Sequence, residues 1–267
     1  MGSLVIIGAG GFIGQNLAAN LQHEHDIIPI RRGDLDLTNH NMVAEFLAQH
    51  QSPIIINCYS AGGRSQVHSM DDSIVNQNLA MITNFINLSD QFDLYINIGS
   101  GAEFDIEQDI TNCAESDIFA RMPTASYGAS KNLISRWLNA RPKFTTLRLF
   151  GCFGPKDYAN RLLNRYHQQH DIIIQDRYFD YFSVQDFARV VNHVINHRIS
   201  ARDINCVYKE KLLLSEFLMK FSIEKNLQPK FRIEPNSGYN YTGSWVNLES
   251  LGLELAGLEQ GLRDWQA

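Results

Sequence analysis

A glycine-rich turn at residues 8–14 limits what this chain can fold into more than any other stretch. Ser3 to Ile7 (SLVII) is a short apolar run, and Gly8-Ala9-Gly10-Gly11-Phe12-Ile13-Gly14 follows at once. Phe12, Ile13, Leu17, Ala18 and Leu21 then recur at helical spacing. The order is strand, tight turn, helix. Gly8, Gly11 and Gly14 carry the spacing G-x-x-G-x-x-G. Without side chains the backbone turns sharply and approaches a pyrophosphate, whose charge meets free N–H groups at a helix N-terminus. Sterics alone also explain glycine in such a turn; its place in the first strand–helix unit is what points to a dinucleotide.

The alternation then repeats. Ile27 to Ile30 reads as a strand, Met42 to His50 as a helix, Ile54 to Tyr59 as a strand, Ile74 to Leu88 as a helix and Leu94 to Ile98 as a strand. Tyr127 to Ala140 is a further helix and Phe144 to Phe150 a further strand. Such alternation implies a parallel sheet covered on both faces. Beyond Gly154-Pro155 it weakens, with helices near Ala159 to His170, Val184 to His197 and Leu214 to Lys225 and a short strand at Ile172 to Ile174. We therefore expect an α/β fold, a Rossmann-type doubly wound parallel sheet over residues 1–155 with 180–200 returning to it. A smaller C-terminal substrate lobe is expected from 156–179 and 201–267.

The net charge of −6 offers no basic surface for a polyanion, so nucleic acid is not an expected partner. No apolar run approaches the ~20 residues of a membrane helix, and no basic n-region precedes the first strand; the expectation is a cytoplasmic chain without membrane association. Cys58, Cys113, Cys152 and Cys206 form no C-x-x-C pair and read as free thiols. His193 and His197 have the spacing of a zinc pair but lack a following Glu and a third ligand. No metal is expected.

The second strand runs Ile27-Ile28-Pro29-Ile30 into Arg31-Arg32, where an NAD enzyme usually places an acid. Guanidinium groups there suit a ribose 2′-phosphate by charge and forked geometry, so NADP is expected over NAD. A solvated strand end is the alternative, with Asp34 left to meet a ribose hydroxyl. Tyr127 and Lys131 lie four apart on the expected helix and share a face. An ammonium beside a phenol lowers its pKa and lets the pair pass a proton to or from an alcohol oxygen. Ser100 falls just past a strand, at the edge where ligands bind in such sheets, although a turn serine explains it too.

Together the glycine turn, Ser100, Tyr127-x-x-x-Lys131 and Leu147-Arg148-Leu149-Phe150-Gly151-Cys152-Phe153-Gly154-Pro155 resemble the extended short-chain dehydrogenase/reductases, the NAD(P)-dependent epimerase/dehydratase group acting on nucleotide sugars. Phe179 to Asp186 resembles the family's R-D-F-x-x-V-x-D segment, and Tyr241-Thr242-Gly243-Ser244 its late turn. The resemblance implies that Ser100, Tyr127 and Lys131 are catalytic. It implies cofactor contacts from Gly8, Gly11, Phe12, Ile13, Gly14, Asp36, Leu37, Tyr59, Ser60, Ala61, Asn78, Lys131 and Phe150 beside Arg31 and Arg32, and substrate contacts from Ser100 and Arg161. Arg31 to Leu37 most resembles GDP-fucose synthases, which reduce a 4-keto sugar nucleotide with NADPH.

Departures from the pattern narrow the reading. Gly101-Ala102 replace the Asp-Glu that follows the catalytic hydroxyl in 4,6-dehydratases, and Glu103 lies one place too late. The cysteine acid of GDP-fucose synthases is absent, and Phe179 stands where the family commonly has Arg, with Arg177 two residues earlier. The expected function is an NADPH-dependent reductase of a nucleotide-linked 4-keto (deoxy)sugar with Tyr127 as proton donor. The alternatives are an NAD-dependent epimerase and a non-catalytic NADP sensor. A homodimer through Ile74 to Leu88 and Tyr127 to Ala140 is common in the family.

Overall fold

Apolar runs only four to seven residues long alternate with helices through the first two hundred residues; the inner ones become strands buried on both faces, while Ile27–Ile30 is a half-exposed edge strand. The computed structural model describes residues 3–62, 68–168, 172–235 and 238–266. In chain order the elements are β1 (Leu4–Ile7), α1 (Phe12–Leu21), β2 (Ile27–Ile30), α2 (His40–Ala48), β3 (Ile54–Asn57), α3 (Asp72–Asn87) and β4 (Leu94–Ser100). Then come β5 (Ile110–Cys113), α4 (Ser126–Leu138), β6 (Phe144–Leu149), β7 (Gly151–Phe153), α5 (Leu162–His167), β8 (Ile172–Ile174), β9 (Tyr181–Ser183) and α6 (Val184–Asn196). β10 (Arg202–Cys206), α7 (Leu214–Glu224), β11 (Phe231–Ile233), β12 (Tyr241–Gly243), α8 (Val246–Glu249) and α9 (Leu258–Asp264) complete the list. Asn39, Asp71 and Ser183 start α2, α3 and α6 by accepting first-turn N–H groups, the role short polar side chains fill at helix N-termini.

β10, β6, β4, β3, β1 and β2 form a six-stranded sheet in that order, every pair parallel. Side chains alternate across it with the period of two that strands impose. Leu4, Ile6, Ile54, Ile56 and Ile96 pack toward α1 and α6, while Val5, Ile7, Ile55 and Tyr95 pack toward α2, α3 and α4. A separate apolar cluster joins Phe153, Tyr166, Ile172, Phe217, Phe221 and Trp265 across α5, β8, α7 and α9. The two-stranded parallel pair β11–β8 flanks it, and β12 pairs β5 beside the main sheet. Among the described residues no helix is long and apolar enough to cross a membrane.

One strand departs from the sequence expectation. Arg202–Cys206 lies in the stretch 201–267 that pattern assigned to the smaller lobe, yet it closes the edge of the main sheet against β6. Its polar spelling, R-D-I-N-C, hid it. Asp203 and Asn205 are polar because they meet Arg148 on β6, a guanidinium with no exposed surface. Arg148 Nε donates to Glu103 Oε2 at 2.7 Å, Nη1 to Asn205 Oδ1 at 3.0 Å and Nη2 to Asp203 Oδ2 at 3.3 Å. Glu115 Oε1 in turn accepts the Asn205 N–H at 2.8 Å.

A buried cation held this way costs more to orphan than to build, because its carboxylate partners cannot return to water. Arg148→Met should therefore lower the unfolding free energy by about 3–5 kcal/mol, measured by urea unfolding. Arg148→Lys, which keeps the charge and loses the fork, should fall between.

Candidate active site

Because all six strands run the same way, each leaves the sheet at one edge, and that edge collects the expected site residues. β1 ends just before Gly8, β2 just before Arg31, β3 two residues before Tyr59, β4 at Ser100 and β6 just before Phe150. In the glycine turn, Gly8 has φ +79° and a Cβ there would lie 2.9 Å from Tyr59 N; at Gly14 a Cβ would lie 2.3 Å from Gly8 O. Protein packing alone demands both. Gly11 differs, since a Cβ there would make only an ordinary 3.5 Å contact. Gly11 also caps α1 without a side-chain hydrogen bond, which leaves the first-turn N–H groups to a ligand. A glycine that no neighbour requires, at an uncapped helix start, fits the close approach of a pyrophosphate. Phe12 turns its ring into the core, while Ile13 is half-buried beside it.

A cavity of about 300 Å³ opens beside this turn, lined by Gly8, Arg31, Arg32, Asp36, Tyr59 and Met81 among others. Both guanidinium groups are exposed and have no ionic partner among the described residues. Asp34, the alternative ribose contact, turns one oxygen back to the chain: its Oδ2 accepts the Arg31 N–H at 2.7 Å. Asp36 is also engaged locally, accepting the Thr38 hydroxyl at 2.7 Å and its N–H at 2.9 Å, which holds its pKa below the ordinary value. Leu37 is buried, and its carbonyl accepts from Asn84.

Asn78 serves the protein rather than a ligand. Its carbonyl accepts the Ala61 N–H at 2.7 Å, and its two amide hydrogens go to Ala61 O and Ser130 Oγ. All of its polar capacity in that direction is used, so it splints the Tyr59-Ser60-Ala61 segment to α4. The expected direct contact becomes a support for that wall.

α4 turns Tyr127 and Lys131 toward the end of β4. The Tyr127 phenol lies beside the Ser100 and Ser60 side chains, and Lys131 Nζ donates to Ile98 O at 2.7 Å. The electrostatics differ from the sequence reading. Burial pushes the Tyr127 phenol up, the hydrogen bond with Ser100 only partly offsetting it, and the charge of Glu103 pushes the same way. Burial pushes Lys131 down, opposed by Glu103. The ammonium is held on a backbone carbonyl.

Glu103 is the residue the sequence undervalued. It is fully buried in a short 3-10 turn, Gly101–Phe104, and faces away from solvent. Oε1 accepts the Ser100 N–H at 2.7 Å while Oε2 pairs with Arg148. Gly99 makes room for it, since a Cβ there would lie 2.6 Å from Oε1. Glu103 thus fixes the backbone of Ser100 from behind and is not aimed at a substrate.

The remaining expected contacts separate. Phe150 is buried and stacked on Phe104 at 5.9 Å, forming the floor beside Ser100. Arg161 is half-buried on the α5 side, where Nη2 donates to Cys152 O at 2.8 Å and Nε pairs with Asp157 at 3.2 Å. No contact joins it to Ser100 or Tyr127 among the described residues. His193 and His197 stack at 4.1 Å on α6. Tyr241, which the pattern marked only as part of a late turn, lays its phenol against Gly101, next to Ser100.

The chain matches the NAD dependent epimerase/dehydratase family over residues 4–206. No curated protein matches it by sequence. Similar solved structures include a hypothetical dTDP-4-dehydrorhamnose reductase from Sulfolobus tokodaii, with TM-score 0.79 and 18% identity over 97% of this chain and 98% of that one. A GDP-mannoheptose C4 reductase from Campylobacter jejuni with NADP bound has TM-score 0.78 and 17% identity over 98% and 96%. A UDP-glucose 4-epimerase from Thermotoga maritima has TM-score 0.80 and 15% identity over 98% and 96%. At these identities the structural likeness is one of fold.

One carboxylate beneath the site makes stability depend on pH. Asp180 accepts the Gly243 N–H and pairs with Lys211, both at 2.8 Å, and burial pushes it up from 3.8 to about 6 despite Lys211. Between those values the folded chain keeps a proton that the unfolded chain has released. The stability from this group is complete below pH ~4 and is lost as pH rises through ~6. Asp180→Asn should flatten the decline by roughly 1–3 kcal/mol, read from urea midpoints taken between pH 4 and pH 7.

Proposed function

The chain belongs to the NAD dependent epimerase/dehydratase family, and we propose that within it this protein is an NADPH-dependent reductase of a nucleotide-linked 4-keto deoxysugar. The observation that carries the reading is the pair of exposed guanidinium groups, Arg31 and Arg32, without an ionic partner among the described residues, on the rim of the cavity beside the glycine turn. A ribose 2′-phosphate answers their charge; a bare ribose does not. Asp34 is drawn back onto the chain by the Arg31 backbone N–H, which its Oδ2 accepts. A bound nicotinamide supplies the hydride.

The rest of the chemistry belongs to the protein's own side chains. Ser100 orients the carbonyl oxygen, and Tyr127 gives it a proton. A carbonyl reduction begins with a neutral phenol, and burial keeps Tyr127 neutral. Lys131, fixed on Ile98 O, has two further N–H donors for the hydroxyls of a ribose. Glu103 is consumed by Arg148 and the Ser100 backbone, so no acid beside Ser100 is free to run an elimination. That supports reduction over dehydration. Binding NADP without turnover on any keto sugar would instead favour a sensor, and tightly retained NAD would favour an epimerase.

Two measurements test the reading. Replacing Arg31 and Arg32 together with alanine should weaken NADPH binding by roughly 10- to 100-fold while leaving NADH nearly unchanged, read by fluorescence titration. Tyr127→Phe should lower kcat by about 10²- to 10⁴-fold in an assay of NADPH consumption against a panel of nucleotide 4-keto-6-deoxy sugars. Full turnover by Tyr127→Phe overturns the mechanism.

A further inference from the structure

Arg161 and Lys211 each have a carboxylate partner: Arg161 pairs with Asp157 at 3.2 Å and Lys211 with Asp180 at 2.8 Å. Arg177 has none among the described residues. Its neighbour Asp176 turns to Ser215 instead and accepts both the N–H and the hydroxyl of that residue. The Arg177 guanidinium is nonetheless held in place. Nη1 donates to Tyr239 O at 3.1 Å, and Cζ lies 5.5 Å from the centre of the Phe179 ring. Nε is buried without an acceptor, and Nη2 also lacks one among the described residues. Leaving the N–H groups of a half-buried cation unanswered is costly, and a fixed cation in that state is suited to an anion from outside the chain.

Two rings connect Arg177 to the catalytic edge. Phe179, beneath the guanidinium, lies 5.0 Å from Tyr241, centre to centre, and a Cβ at Gly101 would lie 2.7 Å from Tyr241 Oη. Gly101 directly follows Ser100, so Arg177 is set back from the serine by a layer of two aromatic side chains. A nucleotide-linked 4-keto sugar has its charge set back in the same sense. C4 and the anomeric carbon are opposite corners of one ring, so the diphosphate leaves on the side of the sugar away from the reacting carbonyl. We propose that Arg177 binds the diphosphate that joins the sugar of the substrate to its nucleoside. Arg161, the substrate contact expected from the sequence, is held instead by Asp157 and by Cys152 O. After its bond to Tyr239, Nη1 keeps one hydrogen and Nη2 keeps two, enough to hold two phosphate oxygens at once. The group stays charged at every working pH.

This inference rests on the proposed nucleotide-linked substrate, but its test requires no turnover. Protein saturated with NADP, which fills the cofactor site, is titrated by calorimetry with GDP, UDP, CDP and dTDP and with the four corresponding nucleosides. The wild-type protein should bind at least one diphosphate, and more tightly than its nucleoside. Arg177→Gln should weaken that diphosphate by about 10- to 100-fold, leave the nucleoside unchanged and unfold at the wild-type urea midpoint. Arg177→Lys, which keeps the charge without the fork, should recover part of the loss. Arg161→Gln should leave diphosphate binding unchanged. Undiminished diphosphate affinity in Arg177→Gln, an equal loss for the bare nucleoside, or a loss confined to Arg161→Gln overturns the assignment and leaves the proposed function standing. Binding of NADP but of none of the four diphosphates by the wild-type protein removes the nucleotide-linked substrate itself, and this assignment with it.

Discussion

Parallel strands impose one geometric condition from which the rest follows. Each of the six must be re-entered from the same end, so a helix or long crossover covers a face between successive strands, and every exit falls on one edge. The turns there answer to the sheet below and to whatever binds above. Gly8 and Gly14 answer to the sheet, since protein atoms already occupy the space a side chain needs. Gly11 answers to the space above, since protein atoms do not. A G-x-x-G-x-x-G spacing by itself does not separate these two kinds of glycine.

The same edge carries a buried electrostatic frame. Arg148 on β6 joins Glu103, in the turn after β4, to Asp203 on β10, and Glu103 passes the constraint to the Ser100 N–H. Burial pushes Asp203 up to about 6, with Arg148 pulling the other way. Desolvating a guanidinium and its carboxylates is costly, and apolar packing of equal volume often matches or exceeds the stability of such a cluster. What apolar packing cannot do is accept a hydrogen bond from a chosen backbone N–H. The cluster fixes the serine backbone from within the core, where water does not compete.

Local features of the chain were legible in the sequence because they depend on near neighbours. The strand–turn–helix at Gly8, the apolar strands and the shared face of Tyr127 and Lys131 all follow from periodicity over a few residues. Features set by distant partners were not. β10 read as polar because Asp203 and Asn205 answer to Arg148, more than fifty residues away in sequence. Glu103 read as a displaced acid because its partner lies on another strand. Asn78 read as a ligand contact because nothing in α3 reveals that Ala61 and Ser130 already occupy its amide. Gly101 was a sign of rings brought from elsewhere in the chain, Phe150 first and Tyr241 beside it, which leave no room for a side chain.

The electrostatics of Tyr127 and Lys131 show why residue type and spacing do not determine a pKa. Four residues of helix place the two on one face, but the ammonium is drawn to Ile98 O and balanced by Glu103, while the phenol turns to Ser100 and Ser60. Burial then acts on each in the direction of its neutral form. A neutral phenol is ready to donate and poorly suited to accept. In the proposed reaction the hydride and the proton arrive at the two ends of one carbonyl, so the charge that develops on oxygen is what draws the proton from Tyr127. The site need not ionise the phenol beforehand. It needs only to hold a hydroxyl in line, and Ser100, with its backbone fixed by Glu103, is placed to do that.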